Sequence, residues 1–126
     1  MTHLEFLEDT IKYYSENVKR RCTTVKACYY SPVSAKKEGI STGCAIGRFL
    51  KPEDAIKIDS HDPMSIHNVL SHGELKDLIP EWMQDLGTEF LRQVQGIHDN
   101  DFNWNGEGLT TLGQINVNQI KDKYCK

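Results

Sequence analysis

The fold of this chain is decided by residues 81–99, which read EWMQDLGTEFLRQVQGIHD. Large apolar side chains recur there, mostly three or four positions apart, and polar side chains fill the positions between them. This spacing places the apolar side chains on one face of an α-helix. They are Trp82, Met83, Leu86, Phe90, Leu91, Val94 and Ile97. The pattern therefore predicts a long amphipathic helix with a kink near Gly87.

Two other segments carry start signals of helices. Thr2 and Glu5 have the T-x-x-E spacing of a capping box, in which each side chain binds the backbone N–H of the other residue. The box predicts a helix over residues 3–18, with an apolar stripe of Leu4, Leu7, Ile11, Tyr14 and Val18. Thr111 and Gln114 repeat the spacing and predict a last helix. Its expected apolar face is Leu112, Ile115, Ile120 and Tyr124.

The middle of the chain combines shorter helices with a β-hairpin. Pro52 suits the first turn of one helix, while Asp62 as a cap and Gly73 as a stop bracket another. Residues 23–30, TTVKACYY, are rich in β-branched and aromatic side chains, and successive side chains would face opposite sides of an extended chain. This pattern predicts a strand. A second strand near 40–45 would complete a hairpin, which has to pack on the helices.

The expected fold class is therefore α+β and mostly helical, with about four to six helices packed with a small β-hairpin. A length of 126 residues suits a single domain that spans residues 1–126. Residues 99–108, DNDFNWNGEG, are expected to form a polar loop.

Composition and charge exclude several classes of protein. The 15 Lys and Arg against 18 Asp and Glu give a net charge of −3, which argues against extended nucleic-acid binding. No apolar run approaches the length of about 18 residues that indicates a membrane span, so none is expected. The N-terminal sequence is acidic and lacks the layout of a signal peptide, so we expect a cytoplasmic protein.

The cysteines of such a protein are expected to be free thiols or ligands, namely Cys22, Cys28, Cys44 and Cys125. Zinc-type spacings are absent from the sequence, so no metal or other cofactor is predicted. Cys44 has a catalytic interpretation, because a position at a helix start favours the thiolate. His98 could then act as the general base and Asp99 could orient it. The alternative is a buried structural cysteine.

A cation-binding loop is an alternative at residues 101–106, which read D-x-N-x-N-G. This matches the opening half of an EF-hand loop, with Asp101, Asn103 and Asn105 as ligands. The twelfth position is Leu112, where such loops carry a bidentate Glu. Asn and Asp side chains that cap their own turns explain the same pattern without a metal.

A ligand pocket is the remaining site that the sequence suggests. Trp104 lies in the polar loop, and Tyr29 and Tyr30 end the predicted strand, so their rings could stack on a base. Arg48 follows a run of small residues, where backbone amides could hold phosphate. The alternative is that the aromatic side chains fill a small core.

The chain contains four stretches that together resemble small proteins encoded by bacteriophages and prophages: ACYY, GCAIGRFL, LGTEFLRQVQGIHDNDFNW and GLTTLGQI. Within this resemblance, which covers most of the chain, Val94 and Ile97 stand where the pattern has Leu-Gln-x-Leu. The positions that it highlights are Cys28, Tyr29, Cys44, Gly47, Arg48, His98, Asp99, Asn103 and Trp104.

Small phage proteins often counter host defence, and one class sequesters nucleotide-derived immune signals, commonly as symmetric oligomers. The resemblance thus implies an anti-defence protein that acts in the cytoplasm of a bacterial host cell and forms a homo-oligomer. It transfers no catalytic residue.

The leading hypothesis is a non-enzymatic protein that binds and sequesters a small anionic, nucleotide-derived ligand without turning it over. The expected ligand-binding residues are Tyr29, Tyr30, Gly43, Cys44, Gly47, Arg48, His98, Asp99, Asn103 and Trp104. One alternative is a protein–protein inhibitor of a host enzyme. The other is a cysteine-dependent hydrolase that uses Cys44 and His98.

Overall fold

A computed structural model describes residues 1–17, 45–60 and 66–125, apart from the side chain of His67. These residues form six α-helices and one two-stranded antiparallel sheet, which confirms the predicted α+β, mostly helical class. The helices are α1 (His3–Glu16), α2 (Pro52–Asp59), α3 (Ile66–Ser71), α4 (Glu81–Gln84), α5 (Thr88–Asp99) and α6 (Thr111–Tyr124). The strands are β1 (Trp104–Asn105) and β2 (Gly108–Leu109). Short 3-10 turns cover Gly47–Phe49, Lys76–Leu78 and Asp101–Asn103.

The predicted capping box starts α1. Thr2 Oγ1 accepts a hydrogen bond from Glu5 N at 3.1 Å, and Glu5 Oε1 accepts one from Thr2 N at 3.0 Å. The buried face of α1 is rotated from the predicted stripe, because Phe6 is fully buried whereas Leu4 is exposed. The first turn of α2 begins at Pro52, as predicted.

The predicted long helix over residues 81–97 is two helices, since α4 ends before Gly87 and α5 begins after it. Gly87 has a φ of +96°, a conformation that glycine adopts at little cost and that an α-helix cannot continue through. Its carbonyl oxygen accepts the first hydrogen bond of α5, from Leu91 N. A break between two helices therefore replaces the expected kink.

The start and the buried face of α6 also differ from the prediction. Thr110, rather than Thr111, caps the helix, because its Oγ1 accepts a hydrogen bond from Gly113 N at 3.0 Å. The buried positions include Gly113, and a Cβ there would clash with the carbonyl oxygen of Asn103. The expected face was therefore wrong for Leu112 and Ile115, which are exposed.

The hairpin lies in the segment that was predicted to be a polar loop. Trp104 pairs with Leu109 and Asn105 pairs with Gly108, so the loop prediction for 99–108 was wrong at these residues. The strands predicted at 23–30 and 40–45 fall almost wholly outside the described residues, as do the cap at Asp62 and the end of the first helix at Val18.

The core of the described structure surrounds α5, whose Phe90, Leu91 and Val94 are buried. Helices α3 and α6 both pack on it. Gln95 of α5 is buried, and its Oε1 accepts a hydrogen bond from Ile66 N at the start of α3. Within the described ranges, no helix has the length and apolar character needed to cross a bilayer.

Candidate functional site

The candidate site is a groove between α5 and α6. The helices run antiparallel, because the rings of Phe90 and Tyr124 meet at one end with centroids 5.2 Å apart, while Asn103 bonds Asn116 near the other. The groove has a volume of about 200 Å³ and is open to solvent. Its walls are formed by Gln93, Gly96, Ile97, Asn100, Asn103, Asn116, Gln119 and Ile120.

Helical spacing explains why these residues share one groove. Gln93, Gly96 and Asn100 recur three or four positions apart along α5 and its cap, and Asn116 and Gln119 do so along α6. Gly96 leaves space in the α5 wall, because beyond its chain neighbours and its own helix backbone no described atom lies within 4 Å of the position that a Cβ would occupy. All eight lining residues are uncharged, and five of them carry a carboxamide.

Asn103 closes one end of the groove and is the predicted ligand-binding residue that lines it. Its Nδ2 donates to the carbonyl oxygen of Ile97 at 3.2 Å, and its Oδ1 accepts from Asn116 Nδ2 at 2.9 Å. The side chain is buried, and both ends of its carboxamide are bonded within the protein. Asn103 therefore orients Asn116 toward the groove.

The other four carboxamides retain hydrogen-bonding atoms for a ligand. Asn116 and Gln93 each donate an amide N–H to a neighbouring side chain, and Asn100 accepts a backbone N–H. The Gln119 side chain forms no hydrogen bond with another described residue. The groove thus presents acceptor oxygens from Asn116 and Gln93, amide donors from Asn100, and both types from Gln119.

A pair of opposite charges borders the groove next to Gln93. Glu89 accepts hydrogen bonds from Arg92 Nε at 3.1 Å and from Gln93 Nε2 at 3.0 Å. These bonds stabilise the carboxylate, so first Arg92 and then Gln93 lower the pKa of Glu89 to about 2. The ionised Glu89 in turn holds Gln93 at the edge of the groove.

His98 and Asp99, the base and orienting residue of the hydrolase alternative, contact each other. His98 Nδ1 lies 2.6 Å from Asp99 Oδ1, so the carboxylate orients the imidazole. The His98 side chain has no exposed surface, and its ring packs against Tyr14 with centroids 4.7 Å apart. Cys44 lies outside the described residues, so the predicted Cys44–His98 contact stays a prediction.

Trp104 is 6% exposed and packs in the core. Its Nε1 donates to the carbonyl oxygen of Ile97 at 2.8 Å, and its ring lies 6.2 Å from that of Tyr14. This placement fits the core-filling alternative for the aromatic side chains. Stacking of Trp104 on a base stays a prediction, which the burial of the ring does not favour.

Arg48 lies in a separate cluster beside α1. Its Nη2 bonds Asp9 Oδ2 at 2.9 Å and Thr10 Oγ1 at 3.2 Å, and its guanidinium carbon lies over the rings of Tyr13 and Phe49 at 4.6 and 4.1 Å. Arg48 Nε is buried with no hydrogen-bond partner in the described parts of the chain. The predicted phosphate-binding charge is therefore already paired with a carboxylate.

The remaining predicted ligand-binding residues do not join the groove in the described structure. Tyr29, Tyr30 and Gly43 lie outside the described residues, as does Cys44. Gly47 begins the 3-10 turn that carries Arg48 and is buried.

The calcium-like loop is organised by side chains that cap its own backbone. Asn100 Oδ1 accepts from Phe102 N at 2.9 Å, and Asn105 Oδ1 accepts from Glu107 N at 2.8 Å. Asn103 Oδ1 is bonded to Asn116, as described above. These bonds are those of the Asx-turn interpretation. In the described part of the chain, no group of three or more His, Cys, Asp or Glu could hold a metal ion.

Sequence reasoning missed most of the groove, namely Gln93, Gly96, Asn100, Asn116 and Gln119. These residues occupy positions that look like the solvent side of two amphipathic helices. One signal in the sequence could have indicated the groove. Asn and Gln side chains recur three or four positions apart in two helices that a short connection joins.

No protein-family model, curated protein or solved structure matches this chain. The resemblance to bacteriophage proteins therefore stays a prediction.

Proposed function

We propose that this protein binds a small nucleotide-derived ligand without turning it over, and that the base of the ligand occupies the groove between α5 and α6. The observation that carries the proposal is the set of carboxamides around an uncharged groove. Asn and Gln side chains recognise base edges because one carboxamide offers a donor and an acceptor side by side.

The size of the groove supports a base rather than a whole nucleotide as its occupant. Sites for drug-sized ligands have volumes of about 300–1,000 Å³. The groove has about 200 Å³. The sugar and phosphate of the ligand therefore extend out of the open side.

Arg92 supports an anionic ligand at the Gln93 end, because its side chain is 53% exposed, whereas that of Arg48, which is also paired with a carboxylate, is 15% exposed. Its side chain is half exposed and pairs with the equally exposed Glu89, so a phosphate that reached this end would compete with that carboxylate. Arg92→Gln is expected to weaken binding of phosphorylated compounds and to leave binding of the matching nucleoside unchanged.

The proposal is tested by incubating the purified protein with a panel of nucleosides, nucleotides and cyclic nucleotides. We expect one class to raise the melting temperature, since a ligand at 100 times its Kd stabilises a protein by about 2.7 kcal/mol. The same compound is expected to be recovered intact after denaturation. Recovery of a converted compound would contradict sequestration and favour the hydrolase alternative.

Gly96→Leu is the variant that tests where the ligand binds. The Cβ of the leucine has open space at Gly96, so the rest of the side chain can extend into the groove and occupy it. We expect loss of the thermal shift with helical circular dichroism unchanged. Gly73→Leu is the matched control, because its Cβ also meets no atom and it lies outside the groove.

Two outcomes would contradict the proposal. Equal ligand affinity of Gly96→Leu and the parent chain would place the ligand elsewhere. A panel in which no compound raises the melting temperature would leave the protein–protein inhibitor as the better interpretation.

A further inference from the structure

Three carboxamides of the groove, those of Asn116, Gln93 and Asn100, are turned in directions that their bonding partners determine. A carboxamide has a nitrogen end that donates hydrogen bonds and an oxygen end that accepts them. A partner that can only accept must therefore meet the nitrogen, and a partner that can only donate must meet the oxygen. The opposite end of each carboxamide is the one that remains for a ligand.

The direction of Asn116 is set through Asn103. The Ile97 carbonyl oxygen can only accept, so the Asn103 atom that lies 3.2 Å from it is the nitrogen Nδ2. The Asn103 oxygen consequently faces Asn116 and accepts from its Nδ2 at 2.9 Å. Asn116 Oδ1 is the end that remains, and it has no hydrogen-bond partner in the described ranges. The closed end of the groove therefore presents an acceptor.

The packing around Asn103 holds its carboxamide in this direction. The side chain is 1% exposed, its backbone N–H donates to the Asn100 carbonyl oxygen at 3.0 Å, and its own carbonyl oxygen accepts from Thr110 N at 2.8 Å. Ile97 is held as well, because its carbonyl oxygen also accepts from Trp104 Nε1 at 2.8 Å. A reversed Asn103 would set its buried oxygen against the Ile97 oxygen with no hydrogen between them, which is costly.

The same rule fixes the other two carboxamides. Gln93 Nε2 donates to the carboxylate of Glu89 at 3.0 Å, which leaves the Gln93 oxygen for a ligand. Asn100 Oδ1 accepts from the backbone N–H of Phe102 at 2.9 Å, which leaves the Asn100 amide. The fixed ends in the groove wall are therefore two acceptors, on Asn116 and Gln93, and one donor, on Asn100.

We propose that the base held in this groove has an amino group at the ring position opposite the sugar, as adenine and cytosine do. This inference rests on the proposed function, because it specifies the ligand of the same groove. The sugar leaves by the open side, so the exocyclic group opposite the sugar enters the groove. An amino group there supplies two N–H donors to a wall that fixes two acceptors, and the adjacent ring nitrogen accepts from the Asn100 amide.

The deaminated counterparts of these bases do not match the wall. Hypoxanthine and uracil have a carbonyl oxygen in place of the amino group, and in a nucleoside they retain one N–H. Their oxygen would meet Asn116 Oδ1, so two acceptors would face each other without a hydrogen. Asn116 cannot turn its nitrogen to such a ligand, because Asn103 holds that nitrogen.

Matched pairs of compounds measure this preference in the full chain. The pairs are adenosine with inosine and cytidine with uridine, each as the nucleoside and as the 5′-monophosphate. Isothermal titration calorimetry is expected to give a Kd about tenfold lower for the amino member of a pair. Equal affinities, or a preference for inosine or uridine, would overturn this inference and leave the proposed function standing. Absence of binding by all these compounds would contradict both.

Variants of Asn116 test whether its oxygen carries the preference. Asn116→Leu removes the acceptor and is expected to bring the two members of a pair within about twofold of each other. Asn116→Asp keeps an oxygen toward the groove and is expected to retain the preference. Asn118→Leu is the matched control, because Asn118 is an exposed residue of α6 outside the groove. A preference that survives Asn116→Leu would overturn the inference.

Asn103→Ala tests the positioning role of Asn103. The variant frees the Asn116 carboxamide, which can then turn its nitrogen to a carbonyl oxygen. We expect the affinity for inosine to rise relative to that for adenosine, whereas a merely structural role would lower both affinities by the same factor. Circular dichroism checks that the variant folds, and the Asn116 variants decide the matter if it does not.

Discussion

The groove between α5 and α6 differs from the cluster around Arg48 in how far its polar groups are already bonded within the chain. The groove is lined by uncharged side chains, and several of their carboxamide atoms have no hydrogen-bond partner among the described residues. The Arg48 guanidinium is paired with Asp9, covered by two aromatic rings and only 15% exposed. The availability of a polar group, rather than its charge, therefore decides which region can bind a ligand.

Residue type alone would rank the Arg48 cluster above the groove as a ligand site. The difference in available polar groups reverses that order. Arginine is the residue that most strongly indicates an anion site in a sequence, because its fork matches phosphate. In this fold, a carboxylate and a threonine hydroxyl already occupy part of that fork. Glutamine and asparagine carry no such indication, yet the packing of two helices gathers them around open space.

The largest expected effect comes from Gly113→Ala, which disturbs the contact between α6 and Asn103 at the closed end of the groove. The added Cβ meets the carbonyl oxygen of Asn103, and backbone cannot move aside as a flexible side chain can. We expect a loss of about 3 kcal/mol in the free energy of unfolding. Urea denaturation measures it. Gly106→Ala is the control, since its Cβ meets no atom, and equal destabilisation of both variants would contradict the contact.

Arg48→Met tests the other region. It removes the ion pair and the cation–π contacts but keeps an apolar stem over Tyr13 and Phe49, so we expect a loss of about 1 kcal/mol. Ligand affinity measured by calorimetry is expected to be unchanged, because Arg48 does not line the groove. If Arg48→Met keeps its stability but no longer binds nucleotides, the prediction is wrong and Arg48 belongs to the anion site. Lys51→Met, also a loss of one positive charge, is the control.

Gly96→Ala makes the same chemical change as Gly113→Ala, but it is expected to raise the free energy of unfolding rather than lower it. Gly96 lies inside α5 and its Cβ would enter open space, so the gain in helix propensity is about 0.5–1 kcal/mol. Thermal unfolding measures the gain. The added methyl group narrows the groove, so ligand affinity is expected to fall slightly. Destabilisation would show that the groove is filled by protein atoms.

The smallest effect concerns the charged border of the groove. Because the folded state lowers the pKa of Glu89 to about 2, the stabilisation by its ion pair is present above the ordinary pKa of glutamate. It is lost as pH falls through about 2. NMR titration of the Glu89 carboxyl carbon is expected to give that midpoint, and Arg92→Gln is expected to raise it. An ordinary glutamate midpoint in the parent chain would contradict the pair.

The helices could be predicted from the sequence where the signal is local. The capping box of Thr2 and Glu5 and the start of α2 at Pro52 depend on residues within one turn, and both are confirmed. The break at Gly87 was predicted only as a kink, because spacing alone does not reveal a positive φ.

The buried face of α6 and the groove could not be predicted in the same way. Apolar spacing selected Leu112 and Ile115, whereas Gly113 is buried because the backbone of Asn103 lies against it. Likewise, Gln93 and Gln119 look like solvated positions until α5 and α6 pack together. Both features depend on contacts between elements, which a periodic pattern does not contain.

The hydrogen bonds around Asn103 join residues that are close together along the chain. The Ile97 carbonyl oxygen accepts from both Asn103 and Trp104, and Asn103 in turn accepts from Thr110. Closing such short loops costs little chain entropy, and contacts of small sequence separation form early in folding. The closed end of the groove therefore belongs to a unit that can assemble quickly, before α1 joins it from the far end of the chain.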